Sequence, residues 1–196
     1  LNPTEQALFS RLAVFVGGFT LETAEVICSS NNLPAIGFSS DTAEPEWDML
    51  EGVTSLLNNS LLVQQGNNNG QSRFKMLETI REYALERLVE SGQLESLQQE
   101  HATYFADQLD QIGQKLHFYS GLRLDWAEEE HDNLRAMLAW SLAKPGEVEL
   151  GLRMVGVLYW FWYQRSYLSE GQAWCRRFTA LIDKTRYTVG HASFLM

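Results

Sequence analysis

Five consecutive residues hold the densest donor chemistry in this chain: Glu128, Glu129, Glu130, His131 and Asp132. Carboxylates beside an imidazole are a ligand set for zinc or a harder cation, but neighbours on a helix point about 100° apart, so only a subset can converge. A solvated acidic helix face is the expectation. His101, His117 and His191 are scattered with no HExxH spacing, and Ser10, Ser60 and Ser169 sit in no GxSxG elbow. Cys28 and Cys175 are far apart, without a CxxC or a Cys/His companion, and read as buried thiols. A phosphate-binding loop of the form GxxxxGK(S/T) is missing. The expectation is therefore no catalytic residue, no metal site, no enzyme, and no ATP binding by this chain itself.

The second feature is aromatic. Tyr159, Trp160, Phe161, Trp162, Tyr163, Tyr167 and Trp174 crowd one short stretch, and residues all round a helix cannot share one interior. Two destinations are open. A following helix pair can cover Trp162 and Trp174, or Tyr159, Tyr163 and Tyr167 can line a concave groove for a peptide, a small inducer or a partner protein. An array cut at this edge is expected to self-associate through it.

The elements that position these residues can be read from periodicity and punctuation. Asn2, Pro3 and Glu5 read as N-cap, first helical position and acidic first turn, and Leu8, Leu12 and Phe15 share a face until Gly17 and Gly18 end the helix. Thr20 caps a second helix with a stripe of Leu21, Ala24 and Ile27. Residues 29–45 read as a loop, and a third helix over 46–58 turns Trp47, Leu50, Val53 and Leu57 inward. Leu61–Val63 and Phe74–Leu77 form two strands around a Gly/Asn turn over 66–72. Thr79 and Glu82 then have capping-box spacing ahead of a helix bearing Ile80, Tyr83, Ala84 and Leu88. Three helices plus a β-hairpin is the winged-helix order, assigned to residues 1–91.

Beyond Gly92 the period is helical throughout, predicting helices over 93–115, 122–143, 147–162 and 168–181. Residues 92–196 therefore read as an antiparallel, tetratricopeptide-like α-solenoid, the N-terminal part of a longer array, with Gly151 and Gly171 where helices approach closely. The fold class expected is mainly α. With 196 residues, 45% of them hydrophobic, the chain can build one large or two modest cores. No apolar run nears the roughly 20 residues that cross a bilayer and no signal-like segment precedes one, so a cytoplasmic location without membrane contact is expected. A start at Leu1 rather than methionine reads as a piece of something longer.

The segments LFSRLAVFVGGFTLETAEVIC, SLLNNSLLVQQ, RFKMLETIREYALERL, EEEHDNLRAMLAW and FWYQRSYLSEGQAW resemble those that follow the NB-ARC nucleotide-binding module in bacterial STAND-class signalling ATPases, including LuxR-type and antibiotic-regulator-like transcriptional activators. The resemblance covers nearly the whole chain. It implies a winged helix that packs on an upstream ATPase domain and reports whether ADP or ATP is bound there, and a tetratricopeptide region that receives a protein or small-molecule effector. In that family the second wing strand often ends in a Met-His-Asp motif whose histidine contacts the ADP phosphate. Met76, Leu77 and Glu78 stand at that place here. Leucine offers no donor, so the resemblance puts these three at the nucleotide-facing seam with sensing left to the backbone or to other residues.

Charge bears on the remaining choice. Residues 1–90 hold five basic residues against twelve acidic ones, a formal charge of −7 out of −10 for the chain. DNA affinity rests on neutralising phosphates, and the helix over 46–58 carries Glu46, Asp48 and Glu51 with no base. No direct nucleic-acid contact is expected. The reading is a non-catalytic regulatory piece of a STAND-class regulator, with a DNA-binding winged-helix transcription factor and a plain helical-repeat scaffold as alternatives.

Overall fold

The computed structural model describes residues 1–29, 48–68, 71–114 and 121–181. Among them the chain is mainly helical, with nine helices and one small sheet, and it divides into two compact units, Leu1–His101 and Ala102–Met196. Nearly all of the expected loop over 29–45 lies outside the described residues, as do Glu46, Trp47, His117, His191 and the tip of the hairpin turn.

In the first unit, α1 (Pro3–Leu12) opens with the expected Asn2 N-cap, which with Glu5 closes into a capping box: Glu5 N–H donates to Asn2 Oδ1 at 2.8 Å and Asn2 N–H to the Glu5 carboxylate at 2.7 Å. It ends at Leu12 rather than at Gly17, and Val14 and Phe15 are buried in the turn that follows. Gly18 has a different task. Its φ of +103° suits only glycine, and a Cβ there would stand 2.8 Å from the Phe74 carbonyl oxygen. This turn admits β1 (Phe19–Thr20), which runs antiparallel to β3 (Gln71–Lys75). Two residues are too few for alternation to register, so β1 was not legible as a strand. Thr20 caps α2 (Leu21–Cys28) as expected, accepting from Thr23 N–H at 3.2 Å.

The third helix, α3 (Met49–Asn58), starts three residues later than expected, with Asp48 accepting from Glu51 N–H at 3.0 Å. Its inward face is Met49, Val53 and Leu56, leaving Leu50 61% exposed and Leu57 half-buried. The cause is that Leu8 of α1 seats against Gly52, and this contact turns the 49–53–56 face to the core. β2 (Val63–Asn68) pairs with β3 in the register Val63↔Lys75, Gln64↔Phe74, Gln65↔Arg73, with an irregularity between Gln65 and Asn68, and the sheet order is β1-β3-β2. Leu61 and Leu62 precede the first hairpin strand, and Met76 and Leu77 follow the second. α4 (Glu78–Glu90) begins directly after Leu77, which caps it without a side-chain bond. The Thr79/Glu82 capping box therefore does not form, because Thr79 already lies inside the first turn. Ala84 and Leu88 carry α4 onto α1, while Tyr83 is exposed.

The other helices are α5 (Leu94–Gln114), α6 (Gly121–Glu129), α7 (His131–Ala143), α8 (Val148–Gln164) and α9 (Leu168–Thr179). The single helix expected over 122–143 is two, broken at Glu130. In the second unit α7 packs on α8 and α8 on α9. Phe105, Leu134, Met137, Leu158, Phe161 and Phe178 are fully buried there, each contributing roughly 1.5–3 kcal/mol by leaving water. The rings of Phe178 and Trp162 seat over Gly151 and Gly171, as the small-residue pattern predicted; a Cβ at Gly171 would stand 2.8 Å from the Trp162 indole.

Candidate switch segment and interaction surface

Met76, Leu77 and Glu78 join β3 to α4, and the structure sends them three ways. Met76 is buried in the first unit's core, Leu77 points to solvent, and Glu78 is the first residue of α4. The Glu78 carboxylate accepts from Arg81 Nη2 at 2.7 Å and from Nε at 3.2 Å. That fork holds the Glu78 carboxyl below the ordinary carboxylate range, against the opposing effect of burial. Arg81 Nη1 donates in addition to the Ala13 carbonyl at 3.2 Å, tying the start of α4 to the turn after α1. Glu78 is thus paired with an arginine of its own helix while its side chain stays 60% exposed, so Leu77 and Glu78 both present a side chain outward.

The five aromatic positions divide. Trp162 and Trp174 are 3% and 7% exposed, so neither offers an open edge, and the expected self-association through these two rings finds no surface there. Both are covered inside the α8–α9 pair: Trp162 lies on Gly171, and Trp174 packs with Phe178. Tyr159 and Tyr163 are 61% and 52% exposed on α8. Their rings lie 6.5 Å apart and within 20° of parallel, and Trp160 stacks on Tyr163 at 5.4 Å. Tyr167 is turned away from this pair and is half-buried, its ring 4.6 Å from His131 and its hydroxyl donating to Glu128 Oε1 at 2.6 Å.

The acidic run is not a solvated face. The helix break at Glu130 buries Glu130 and His131, and Asn133 Nδ2 donates to Glu130 Oε2 at 2.7 Å. His131 reaches Glu170 of α9 at 3.1 Å, and Arg135 donates to the same carboxylate from Nε at 2.8 Å and Nη2 at 2.6 Å. Burial works to raise the Glu170 pKa, but Arg135 and His131 outweigh it and hold the carboxyl below the ordinary range. Nearby, Arg165 at the end of α8 pairs with Asp125 of α6. Of the run, Glu128 and His131 bond to the α8–α9 region, while Glu130 and Asp132 bond to Asn133 and Arg135 of α7, and among the described residues no group of three or more His, Cys, Asp or Glu side chains is arranged for a cation. Sequence reasoning missed Glu170 and Arg135. The one available signal was His131 and Arg135 four apart on a helix, which puts both on one side.

Both cysteines are free thiols: Cys28 is buried and pushed up to about 12 by desolvation, and Cys175 is half-buried and raised for the same reason. Among the described residues no helix is long and apolar enough to cross a membrane.

Over 189 residues, 95% of its length, the chain is 33% identical to a Mycobacterium tuberculosis (strain H37Rv) protein named "Putative HTH-type transcriptional regulator", and to one of the same name type in Mycobacterium bovis. It spans 19% of the length of each. It is also 34% identical over 97 residues, 50% of the chain and 22% of the relative, to an uncharacterized Mycobacterium tuberculosis protein. No family model matches the chain, and no solved structure matches it at a significant level. The relatives' name corrects one expectation: helix-turn-helix is a DNA-docking motif, so nucleic acid belongs among the partners of the proteins this chain resembles, and its exclusion on charge does not stand. Across nearly its whole length, then, the chain is similar to one segment of mycobacterial proteins named as HTH-type transcriptional regulators, which supports a regulatory role in transcription.

Proposed function

We propose that this chain is a non-catalytic relay segment of a STAND-class transcription regulator. Residues 1–91 act as a winged helix and residues 92–196 as a tetratricopeptide-like helical region. ATP or ADP binds an upstream domain of the same protein, and the winged helix passes the nucleotide state to the helical region, which receives the effector in the cytoplasm. Each ligand shifts the population towards the domain arrangement it prefers. The observation that carries this reading is the element order α1, β1, α2, α3, β2, β3, with β1 beside β3 and the hairpin leading directly into α4. Exposed Leu77 and Glu78, at the end of that hairpin, are the side chains available at the seam.

The test uses the full-length protein. Exchanging ADP for a non-hydrolysable ATP analogue should change proteolytic cleavage beside Leu77, and Leu77→Asp should remove that difference while moving folding stability by no more than about 0.5 kcal/mol. A parent protein without a nucleotide-binding domain, or cleavage equal in both nucleotide states, rejects the reading.

A second reading follows from the relatives' name: the first unit itself docks on DNA, with α3 in a groove. Exposed Asn58 on α3 and Gln64 and Gln65 on β2 then supply the amides that pair with adenine. Fluorescence anisotropy of labelled duplexes at low and physiological salt decides it. Affinity that falls with salt supports DNA contact by this unit, and no binding at low salt removes it.

A further inference from the structure

We propose that the face of α8 bearing exposed Tyr159 and Tyr163 beside half-buried Gly156 and Trp160 is a self-association surface, occupied by the same face of a second copy of this chain. At 3.6 residues per turn these four positions fall within about 100° of one another. The near-parallel rings of Tyr159, Trp160 and Tyr163 form a ridge. Gly156 lies one turn before it, and nothing stands within 4 Å of where its Cβ would be. Glycine inside a helix costs roughly 1 kcal/mol relative to alanine. At Gly151 and Gly171 of the same unit that cost accompanies an aromatic ring seated on bare backbone, Phe178 on the first and Trp162 on the second. Gly156 is a seat of the same kind, open among the described residues.

Charge and symmetry identify the occupant. No Asp or Glu occurs between Glu149 and Glu170, and the two arginines of that stretch are paired, Arg153 with Asp110 and Arg165 with Asp125. α8 therefore brings no unpaired charge to this face, in a chain of charge −10. A charged partner finds no counter-charge here, whereas a second copy, repelled by like charge over the acidic surfaces, meets none at this place. The seat and the ridge also match each other. With two α8 helices antiparallel about a two-fold axis near Tyr159 and Trp160, Tyr163 of one copy falls on Gly156 of the other, and the reverse contact follows by symmetry. Leu152, one turn further back, is buried, which confines the contact to about two turns. That is well short of the ~800 Å² per partner of a stable complex, so the dimer is reversible, with a Kd on the order of 100 μM.

Sedimentation equilibrium of this chain at concentrations bracketing that value should fit a monomer–dimer equilibrium. Tyr163→Glu should weaken it at least about tenfold, while Gln172→Glu, on an exposed position of α9, should leave it unchanged; circular dichroism checks that both variants remain folded. In a Cys175→Ser background, Tyr159→Cys lies near the axis and should form an interchain disulfide on mild oxidation faster than Gln172→Cys. A chain that stays monomeric throughout, a dimer indifferent to Tyr163→Glu, or equal cross-linking of the two cysteines overturns the proposal; a monomer would leave the ridge to a different, uncharged partner.

Discussion

Glu170 shows how one side chain can gather the polar groups of two helices, α7 and its own α9. It accepts from Arg135 through two nitrogens, lies 3.1 Å from His131, and receives the Trp174 indole N–H at 3.4 Å. Glu170→Gln keeps the shape but loses the charge, and because Arg135 is substantially exposed, the expected loss is only about 1–2 kcal/mol in urea unfolding. The sign with pH is fixed by the lowered pKa. The contribution is fully present above the ordinary value of 4.5, and it disappears as pH falls through the lower folded value. The gap in stability between wild type and Glu170→Gln should therefore shrink as pH falls below about 4.5; a gap that instead grows in acid would contradict the pairing. None of this was legible from the residues in order, since Glu170 stands 35 positions from Arg135. The acidic run before it looked like a water-facing stripe only because a helix break at Glu130 leaves no mark in the apolar period.

At the scale of elements, the local signals that act through neighbours in sequence were the readable ones. The Asn2 cap, the Thr20 cap and the start of α9 follow from residues within one turn, whereas α8 runs two residues past its expected end and α9 stops two short of its own. The misplaced features depend on distant partners: the rotation of α3 on Leu8 against Gly52, and β1 on pairing with β3. Two helical glycines test the packing account in opposite directions. Gly171→Ala drives a methyl into the Trp162 indole, and overpacking of about 1–3 kcal/mol should exceed the helix-propensity gain of about 1 kcal/mol. Gly156→Ala meets no neighbour, so the gain alone should appear, about 0.5–1 kcal/mol of added stability. Thermal unfolding of the two variants should move their midpoints apart on either side of the wild type. Equal shifts would show that the close α8–α9 approach is not what Gly171 provides.

Over the whole molecule the decisive quantity is net charge. The value of −10 at neutral pH keeps copies apart and vanishes near pH 4.8. Solubility should pass through a minimum close to that pH and recover on the acid side, as turbidity at fixed protein concentration would show; a flat profile would mean that charge is not what disperses the chain. Where charge gives no protection, backbone geometry must. β2 is an edge strand whose Val63, Gln64 and Gln65 carry no charge and no proline, the usual guards against recruiting a foreign strand. The irregularity between Gln65 and Asn68 leaves only three residues in unbroken register, too short a template for a stranger to zip onto. On that basis the misfit in the ladder should keep an unguarded border from recruiting strands, and trimming one residue to straighten it would be expected to trade a tidier hairpin for an aggregating one.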